Sequence, residues 1–290
     1  MPELPEVEIG KQSLQNKVLH RKINKIKIAN KNLRFKVEKN IENILKKRIT
    51  KILRISKYLI IEFKNLEYLI FHFGMSGTLH FIKNKNLKDT NLSFYHSKSL
   101  PKKHNHIEFM FDNFKLVYND PRRFGFIEYI SSKNDLKNYF FKIGPEPLNK
   151  KFNFLYLKNI LKNKNRNIKN FLLDQKYVSG LGNIYVNEIL FLARISPNKL
   201  CKKIDNTEIT KIIKFSKIVL GKAIKKGGSS IRDFKNSEGI KGSFQAEFSV
   251  YNRKNKKCLR KGCNGVIHRI LISNRSTFVC QNCQIIKKNY

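Results

Sequence analysis

Apolar and polar residues follow two different rhythms along the chain, and the change between them separates a β-rich first half from a helical second half. From residue 23 to about residue 130, apolar residues occur in short runs separated by Asn, Lys and Gly, as in strands joined by turns. Since short strands at turn-like spacing are typical of two packed sheets, we expect a β-sandwich. The runs that predict strands are 58–63, 68–73, 106–111, 115–118 and 126–130.

A helix is predicted before this β-rich region. Pro5 suits the first turn of a helix because its ring fixes the backbone angle that a helix needs. Glu6 and Glu8 suit the positive end of the helix dipole. We therefore expect a helix from Pro5 to about Val18.

A longer helix is predicted in the second half. Apolar positions between 209 and 224 recur every three or four residues, which is the period of one helix face. Asp205 or Asn206 can cap its beginning, and the glycines at 227–228 can end it.

Composition and charge indicate a globular protein with a polyanionic partner. The chain has 290 residues, 41% of them hydrophobic, enough for one large domain or two smaller ones. It carries 60 Lys and Arg against 21 Asp and Glu, a formal net charge of +39. So high a positive charge favours a nucleic-acid partner first and an anionic membrane second. The abundance of Lys, Asn and Ile is also typical of AT-rich genomes, so charge alone does not establish that the protein binds nucleic acid.

The N-terminal residues and the cysteines bear on where the protein works. The first residues have neither the basic stretch nor the apolar core of a signal peptide. No run of about 18 apolar residues predicts a transmembrane helix. The five cysteines, at positions 201, 258, 263, 280 and 283, do not form a secreted disulfide framework. We expect a cytoplasmic protein without a membrane partner.

Four of the cysteines form two close pairs, Cys258 with Cys263 and Cys280 with Cys283. Two such pairs on a β-hairpin bring four thiolates to one tetrahedral Zn²⁺. Because four protein sulfurs fill the coordination shell, the spacing predicts one structural zinc ion. Cys201 stands alone and is expected to be a buried thiol.

Three glycine-containing turns carry side chains suited to nucleic acid. Arg122 and Phe124 lie in a turn bounded by Pro and Gly, where Arg can bond base edges and Phe can enter a base step. Met75 lies between the glycines of a second turn, and a third at 180–185 leads into a helix N-terminus that can meet a phosphate. Taken singly, the first motif is equally consistent with an ordinary surface turn, a Met such as Met75 is more often a core residue, and glycine is common at helix caps.

Eight segments, which follow one another along the whole chain and include these motifs, match the sequence pattern of one protein family. Together they resemble bacterial formamidopyrimidine-DNA glycosylase, the family also called 8-oxoguanine DNA glycosylase. The segments are MPELPEVE at 1–8, SKYL at 56–59, HFGMSG at 72–77, KHNH at 103–106, DPRRFG at 120–125, GPEP at 144–147, GLGNIY at 180–185 and NRSTF at 274–278.

The resemblance implies an α+β multidomain fold and a monomer that binds damaged double-stranded DNA. It also implies one structural zinc ion on the four paired cysteines. The implied domains are a catalytic β-sandwich at 1–131, a linker at 132–151, a helix–two-turn–helix DNA-binding domain at 152–248 with a lesion-capping loop at 229–242, and a β-hairpin zinc finger at 249–290.

The implied enzyme excises oxidised purines such as 8-oxoguanine and formamidopyrimidines, then cleaves the strand by β,δ-elimination through a Schiff base. The resemblance assigns Pro2 as the nucleophile and Glu3 as a proton-transferring carboxylate. Lys57 matches a position that donates a proton and contacts phosphate. Arg275 matches a basic residue with a role in δ-elimination. An α-amino group titrates at about 8, so it is neutral more often than a lysine at physiological pH.

Other matches imply contacts with DNA. Met75, Arg122 and Phe124 match residues that fill the void left by the extruded base, and Arg122 would face the opposite cytosine. The matches implied for the remaining DNA contacts are His72, His104 and Asn183.

Two positions depart from the family pattern. Four residues separate Cys258 from Cys263, where many members have two. The family's basic DNA contact falls at Asn165, which carries no charge, so the neighbouring Arg166 or Lys164 is the candidate for that contact.

Two other functions remain open at this point. An endonuclease VIII-type glycosylase shares Pro2, Glu3 and the zinc hairpin but prefers oxidised pyrimidines. Leu4, where that branch favours Gly, and the set of void-filling side chains favour the purine branch. A non-catalytic zinc protein that binds nucleic acid would keep Met1 and would form no borohydride-trapped complex with damaged DNA.

Overall fold

The computed structural model describes residues 2–83, 90–92, 102–229 and 243–284. The chain divides into two compact units, Met1–Phe141 with Ile224–Gln245, and Lys142–Ala223 with Ala246–Tyr290. The β-rich region lies in the first unit, and the paired cysteines lie in the second. The domain limits implied by the sequence stay predictions.

Helices and strands of the described residues follow the predicted change from β to helical structure. The helices are α1 (Leu4–Val18), α2 (Lys133–Phe140), α3 (Phe154–Leu161), α4 (Ile168–Leu173), α5 (Asn183–Ala193) and α6 (Asn206–Lys225). The strands are β1 (Lys25–Ile28), β2 (Ile49–Ile55), β3 (Tyr58–Phe63), β4 (Tyr68–His72), β5 (Thr78–Lys83), β6 (Thr90–Leu92), β7 (Asn105–Met110), β8 (Phe114–Asn119), β9 (Phe126–Ile130), β10 (Ile267–Ile272) and β11 (Arg275–Cys280).

The strands of the first unit form two antiparallel sheets around one apolar core. Within the described residues, one sheet has five strands in the order β1-β7-β8-β5-β6 and the other has four in the order β2-β3-β4-β9. The ring of Phe71 on β4 lies 5.8 Å from that of Phe109 on β7 and 6.5 Å from that of Tyr118 on β8. The sheets therefore pack face to face, and the predicted β-sandwich is confirmed.

Helix α1 begins and ends as predicted. Pro5 stands in its first turn, and Glu3 and Glu6 form a capping box in which the Glu3 N–H donates to Glu6 Oε2 at 2.9 Å. The apolar face of α1 buries Val7 and Val18 in the core of the sandwich. The capping box thus holds the first residues of the chain at the edge of that core.

The segment 132–151, predicted as a linker, contains helix α2, which the sequence pattern did not predict. Ser132 caps this helix, because its Oγ accepts a hydrogen bond from the Asp135 N–H at 3.1 Å. Leu136 packs against Ile60 on the outer face of the four-stranded sheet. Since both faces of that sheet are covered, its central strands are continuous apolar runs.

The predicted strands are present to within one residue at each end, but β1, β2, β5 and β6 were not predicted. Strand β1 reads KIKI, and β2 reads ITKILRI. In β1, apolar residues alternate with lysines because one face of the strand meets the core. In β2, polar and basic residues at 50, 51 and 54 interrupt the apolar ones, so neither strand is a continuous apolar run. Such strands are not recognised when strands are predicted from continuous apolar runs.

Helix α6 confirms the prediction for the second half. The Glu208 N–H donates to Asp205 Oδ1 at 2.8 Å, and the Asp205 N–H donates to Glu208 Oε2 at 3.0 Å, so Asp205 and Glu208 form a capping box. Gly227 and Gly228 follow the helix with φ of 75° and 81°, in the left-handed region that glycine adopts without strain.

Candidate active site and metal centre

The first residues of the chain are tied to the segment that follows α6. Pro2 is buried, and Glu3 and Glu6 are each 3% exposed. Glu6 Oε1 accepts hydrogen bonds from the Ser229 N–H at 2.9 Å and the Ser229 hydroxyl at 2.8 Å. Gly228 leaves room for this contact, since an added Cβ would lie 3.3 Å from Glu6 Oε1. The predicted lesion-capping loop beyond Ser229 lies outside the described residues.

Lys57 is buried in the turn between β2 and β3, and Arg54 shapes that turn. Lys57 is 6% exposed, and the preceding Ser56 has φ of 57°. Arg54 Nη1 donates to the Ser56 carbonyl at 2.9 Å, and Arg54 Nε lies 2.8 Å from Glu8 Oε2 of α1. Burial raises the pKa of Glu8, but Arg54 and Lys11 outweigh it and hold that pKa below its ordinary value. A charged pair therefore links the Lys57 turn to α1.

His72 ends β4 as a neutral imidazole. Burial, with the charges of Lys57 and Arg34, lowers the pKa of His72 to about 4. The ring stacks on Phe126, with centroids 5.3 Å apart, and Nδ1 accepts from the Gly74 N–H at 3.2 Å. Because Nδ1 is the acceptor, Nε2 carries the hydrogen and can donate to a phosphate oxygen.

The three predicted void-filling side chains lie on two adjoining loops. Met75 is 39% exposed and Phe124 is 43% exposed. The guanidinium carbon of Arg122 lies 4.5 Å from the centroid of the Phe124 ring. A Cβ added to Gly74 would meet the Phe124 carbonyl at 2.4 Å, so the backbones of the two loops touch. The structure thus brings together two loops whose residues Met75 and Phe124 are 49 residues apart in sequence.

The two histidines at 104 and 106 differ in their surroundings. His104 is half-buried at the end of a 3₁₀ turn, Lys102–His104. His106 is 3% exposed, and its Nε2 lies 2.8 Å from the Asp120 carbonyl. Of the two, His104 is the one placed to meet a ligand.

In the second unit, the β10–β11 hairpin is anchored on α4 and α5. Asn183 Nδ2 donates to the Ser276 carbonyl at 2.9 Å, and the Phe278 N–H donates to Asn187 Oδ1 at 2.7 Å. Arg275, the first residue of β11, is exposed. Asn183 therefore bonds to the residue that directly follows Arg275 in the chain.

Lys169 is a buried member of this site that sequence analysis missed. It is 0% exposed, and its Nζ donates to Thr277 Oγ1 at 2.6 Å. Burial, with the charge of Arg275, lowers the pKa of Lys169 to about 8. The available signal was a lysine inside the apolar run that forms α4, a position where an unpaired charge is unfavourable.

Arg166 makes internal contacts. Its Nη1 lies 2.8 Å from Asp174 Oδ2, and its Nη2 donates to the Asn170 carbonyl at 2.7 Å. Lys164 Nζ lies 5.0 Å from the centroid of the Tyr177 ring, and Asn165 is exposed. Which of these residues meets DNA stays a prediction.

The four paired cysteines meet in one cluster. Among the described residues, their ligand atoms all lie within 4.8 Å of one another. Cys258 Sγ is 3.8 Å from Cys283 Sγ, and Cys263 Sγ is 3.7 Å from Cys280 Sγ. The cluster can hold a metal ion. Cys201 lies elsewhere, and burial raises its pKa to about 11, as expected for a core thiol.

Two family models match the chain. The formamidopyrimidine-DNA glycosylase N-terminal domain matches residues 1–127, and the formamidopyrimidine-DNA glycosylase H2TH domain matches residues 143–235. The chain belongs to the formamidopyrimidine-DNA glycosylase family. The first match covers α1 and most of the sandwich, and the second covers α3 to α6.

Relatives and solved structures agree with this membership. The formamidopyrimidine-DNA glycosylase of Wolbachia pipientis subsp. Culex pipiens (strain wPip) is 39% identical over 286 residues, which are 98% of this chain and 100% of the relative. A mutant Lactococcus lactis FPG in complex with Fapy-dG-containing DNA matches with a TM-score of 0.87 and 34% identity, over 98% of this chain and 100% of that one. A complex of MutM with DNA containing carbocyclic 8-oxo-G has a TM-score of 0.86, 34% identity and the same coverage.

A membrane span was not expected from the sequence. None of the helices in the described part of the chain has the length and apolar character that crossing a bilayer requires.

Proposed function

We propose that this family member is a bifunctional glycosylase that removes oxidised purines from duplex DNA and cleaves the strand at the abasic site. The solved structures similar to it hold DNA with a formamidopyrimidine or 8-oxoguanine lesion. The observation that carries the proposal is the burial of Pro2 and Glu3 at the start of α1, where Glu6 joins this segment to Ser229.

In this proposal the amine of Pro2 is the nucleophile. Removal of Met1 frees the amine, and an α-amino group with a pKa of about 8 is partly neutral at physiological pH. The amine attacks C1′ of the damaged nucleotide, and the base leaves with the electron pair of its bond to C1′. Opening of the sugar ring then forms a cationic iminium, which withdraws electrons from C2′.

Strand cleavage follows from the iminium. Loss of a C2′ proton expels the 3′ phosphate, and a second elimination expels the 5′ phosphate. Glu3 is proposed to carry protons between amine, sugar and base, because it is a buried carboxylate next to the nucleophile in sequence. Lys57 and Arg275 are proposed to meet the charges of the leaving phosphates.

Base extrusion is assigned to the two adjoining loops. Taking a base out of the stack costs a few kcal/mol and leaves a void. Met75, Arg122 and Phe124 are exposed on two loops whose backbones touch, so they are proposed to fill that void. His72, His104 and Asn183 are proposed to contact the DNA backbone, with His72 as a neutral hydrogen-bond donor.

The cysteine cluster is proposed to hold one structural Zn²⁺. A tetrahedral site with Zn–S bonds of about 2.3 Å has sulfur–sulfur edges of about 3.8 Å. Two of the Sγ separations, 3.8 and 3.7 Å, fit that geometry, the separation of Cys263 and Cys283 is shorter at 3.2 Å, and all four ligand atoms lie within 4.8 Å of one another. Bound zinc would close the ends of the hairpin that carries Arg275, and it has no proposed part in the chemistry.

Borohydride trapping tests the nucleophile. The protein is incubated with a duplex that contains 8-oxoguanine opposite cytosine, and borohydride reduces the iminium to a stable covalent adduct. We expect the wild type and Pro5→Ala to form the adduct and Pro2→Gly to lose most of it while still binding an abasic-analogue duplex. Undiminished trapping by Pro2→Gly at the same rate would disprove the assignment of Pro2.

The same assay distinguishes the alternatives. A duplex that carries an oxidised pyrimidine in the same sequence is compared with the 8-oxoguanine duplex. Faster trapping on the purine lesion supports the proposed substrate, and equal or faster trapping on the pyrimidine contradicts it. A mature protein that keeps Met1 and forms no adduct on either duplex is the result expected of a non-catalytic DNA-binding protein.

A further inference from the structure

Asp120 lies beneath the two loops that carry Met75, Arg122 and Phe124. It is 0% exposed. Its backbone is fixed on both sides, because the Asp120 N–H donates to the His104 carbonyl at 3.1 Å and the Asp120 carbonyl lies 2.8 Å from His106 Nε2.

The carboxylate of Asp120 bonds to both loops. Oδ1 accepts from the Ser76 hydroxyl, next to Met75, and from the Arg122 N–H at 3.3 Å. Oδ2 accepts from the Gly125 N–H at 2.8 Å and from the Tyr118 hydroxyl at 3.3 Å. The Arg122 N–H also donates to Ser76 Oγ at 3.2 Å, so the loops are joined directly as well as through Asp120.

Glycines let the two loops meet backbone to backbone. Gly74 has φ of 56°, and a Cβ there would lie 2.4 Å from the carbonyl carbon and oxygen of Phe124. A Cβ on Gly125 would lie 2.0 Å from the Tyr118 hydroxyl and 2.5 Å from the His72 carbonyl. With no space between the loops, a shift of one displaces the other.

We infer that Asp120 is a positioning residue that holds the Met75 loop and the Arg122–Phe124 loop in one register, so that the three side chains enter the DNA as a unit. This inference rests on the proposed function. Asp120 itself touches neither the lesion nor the sugar. It acts by fixing where the void-filling side chains stand when the base leaves the stack.

Only a carboxylate satisfies this arrangement. Both oxygens of Asp120 accept, one from the Arg122 N–H and the other from the Gly125 N–H. An amide in its place would point its own N–H groups at one of these donors in either orientation. Asp120→Asn keeps nearly the same side-chain size. It therefore loses only one hydrogen bond, either from the Arg122 N–H or from the Gly125 N–H. Burial and the adjacent Asp120 raise the pKa of Tyr118 well above its ordinary value, so Tyr118 stays a donor.

The test separates base extrusion from the chemistry at Pro2. Asp120→Asn and Ser76→Ala are compared with the wild type on 8-oxoguanine duplexes, with 2-aminopurine beside the lesion to report unstacking. The same proteins are trapped with borohydride on single-stranded DNA that already contains an abasic site, where no base needs extruding. Asp112→Asn is the matched control, since Asp112 is exposed in the turn between β7 and β8 and bonds only to the side chain of Asn24 among the described contacts.

For Asp120→Asn we expect the single-turnover excision rate to fall about 10- to 100-fold, because a misplacement of about 1 Å can lower a rate by two orders of magnitude. The 2-aminopurine signal falls in parallel. The ratio of the excision rates with cytosine and with adenine opposite the lesion moves closer to one. Trapping on the single-stranded abasic site stays at the wild-type rate. Ser76→Ala shows the same pattern with a smaller loss, and Asp112→Asn matches the wild type.

Two outcomes overturn the inference. One is a loss of abasic-site trapping equal to the loss of excision, which indicates a general structural defect. The other is unchanged excision and unstacking in both variants. If Asp120→Asn fails to fold, the inference is tested with Ser76→Ala and Tyr118→Phe, using the same measurements of excision, unstacking and abasic-site trapping. A wild-type protein that traps neither DNA refutes the proposed function instead, so the two failures are distinguishable.

Discussion

The two units hold their candidate functional groups in different ways. In the first unit, Glu3 and Lys57 are buried, and the Glu8–Arg54 pair ties the Lys57 turn to α1. In the second unit, Arg275 is exposed on a hairpin whose apolar core is small and is completed by the four cysteines. The first site depends on individual internal bonds inside a large core, whereas the second depends on whether a small hairpin folds. Point substitutions and metal removal should therefore affect the two units differently.

Metal loss should give the largest effect. Cys263→Ser removes a ligand, and small zinc-stabilised elements unfold without their metal, so we expect affinity for an abasic-analogue duplex to fall about 100-fold or more. Zinc content measured by mass spectrometry and binding measured by fluorescence anisotropy check this. Cys201→Ala, at a buried thiol outside the cluster, should keep both. Full affinity without metal would contradict the account of the second unit.

His72 should make the stability of the first unit depend on pH. Its pKa is about 4 in the folded chain, against 6.5 ordinarily, so between these values the unfolded chain holds a proton that the folded chain does not. The free energy of unfolding therefore falls as pH drops through this window, by up to about 3 kcal/mol from this group.

Urea unfolding between pH 4 and 7 measures this dependence. His72→Gln should have a flatter profile than the wild type. His268→Gln, at an exposed position on β10 of the other unit, should keep the wild-type slope. Equal slopes for His72→Gln and the wild type would show that His72 is not the group responsible.

Lys169→Met should distinguish the contribution of Lys169 to the stability of the second unit from its contribution to the orientation of the β10–β11 hairpin. Methionine keeps the length of the side chain but removes a buried charge, so the free energy of unfolding should change by about 1 kcal/mol or less. The hydrogen bonds from Lys169 to Thr277 and Ser276 are lost, so the orientation of the hairpin relative to α4 is no longer fixed by them. We therefore expect DNA affinity to fall about 10-fold. Lys158→Met, at an exposed site on α3, is the control. Unchanged affinity would mean that the bonds from Asn170, Asn183 and Asn187 orient the hairpin without Lys169.

The Glu8–Arg54 pair should give the smallest effect. A double-mutant cycle of Glu8→Gln and Arg54→Met should yield a coupling energy of about 1 kcal/mol, since the pair is largely buried but lies at the edge of the core. The more exposed Lys51–Glu62 pair offers a comparison, with Lys51 64% exposed. A coupling no larger than that of Lys51 and Glu62 would mean that Arg54 shapes the Lys57 turn through Ser56 alone.

Local signals predicted part of this structure well. The capping residues of α1 and α6 lie three residues from the groups they bond, and the cysteines of the two pairs lie five and three residues apart. Such contacts join residues that are close in sequence, so their spacing is visible there. Helix α2 was not predicted because its stability comes from packing on the sheet that it covers. Only Leu136 among its residues is buried, so its sequence shows little of the apolar period of a helix.

Sequence by itself determined the sandwich, the helical second half, the cysteine cluster and, through the resemblance, the family. Tertiary structure decided which distant groups meet: Glu6 with Ser229, 223 residues apart, Lys169 with Thr277, 108 apart, and Asp120 with Ser76, 44 apart. The physical reason is that a buried polar group must find a partner, but nothing in its own segment says which one. Only the packing of the sheets and helices places the partner within reach.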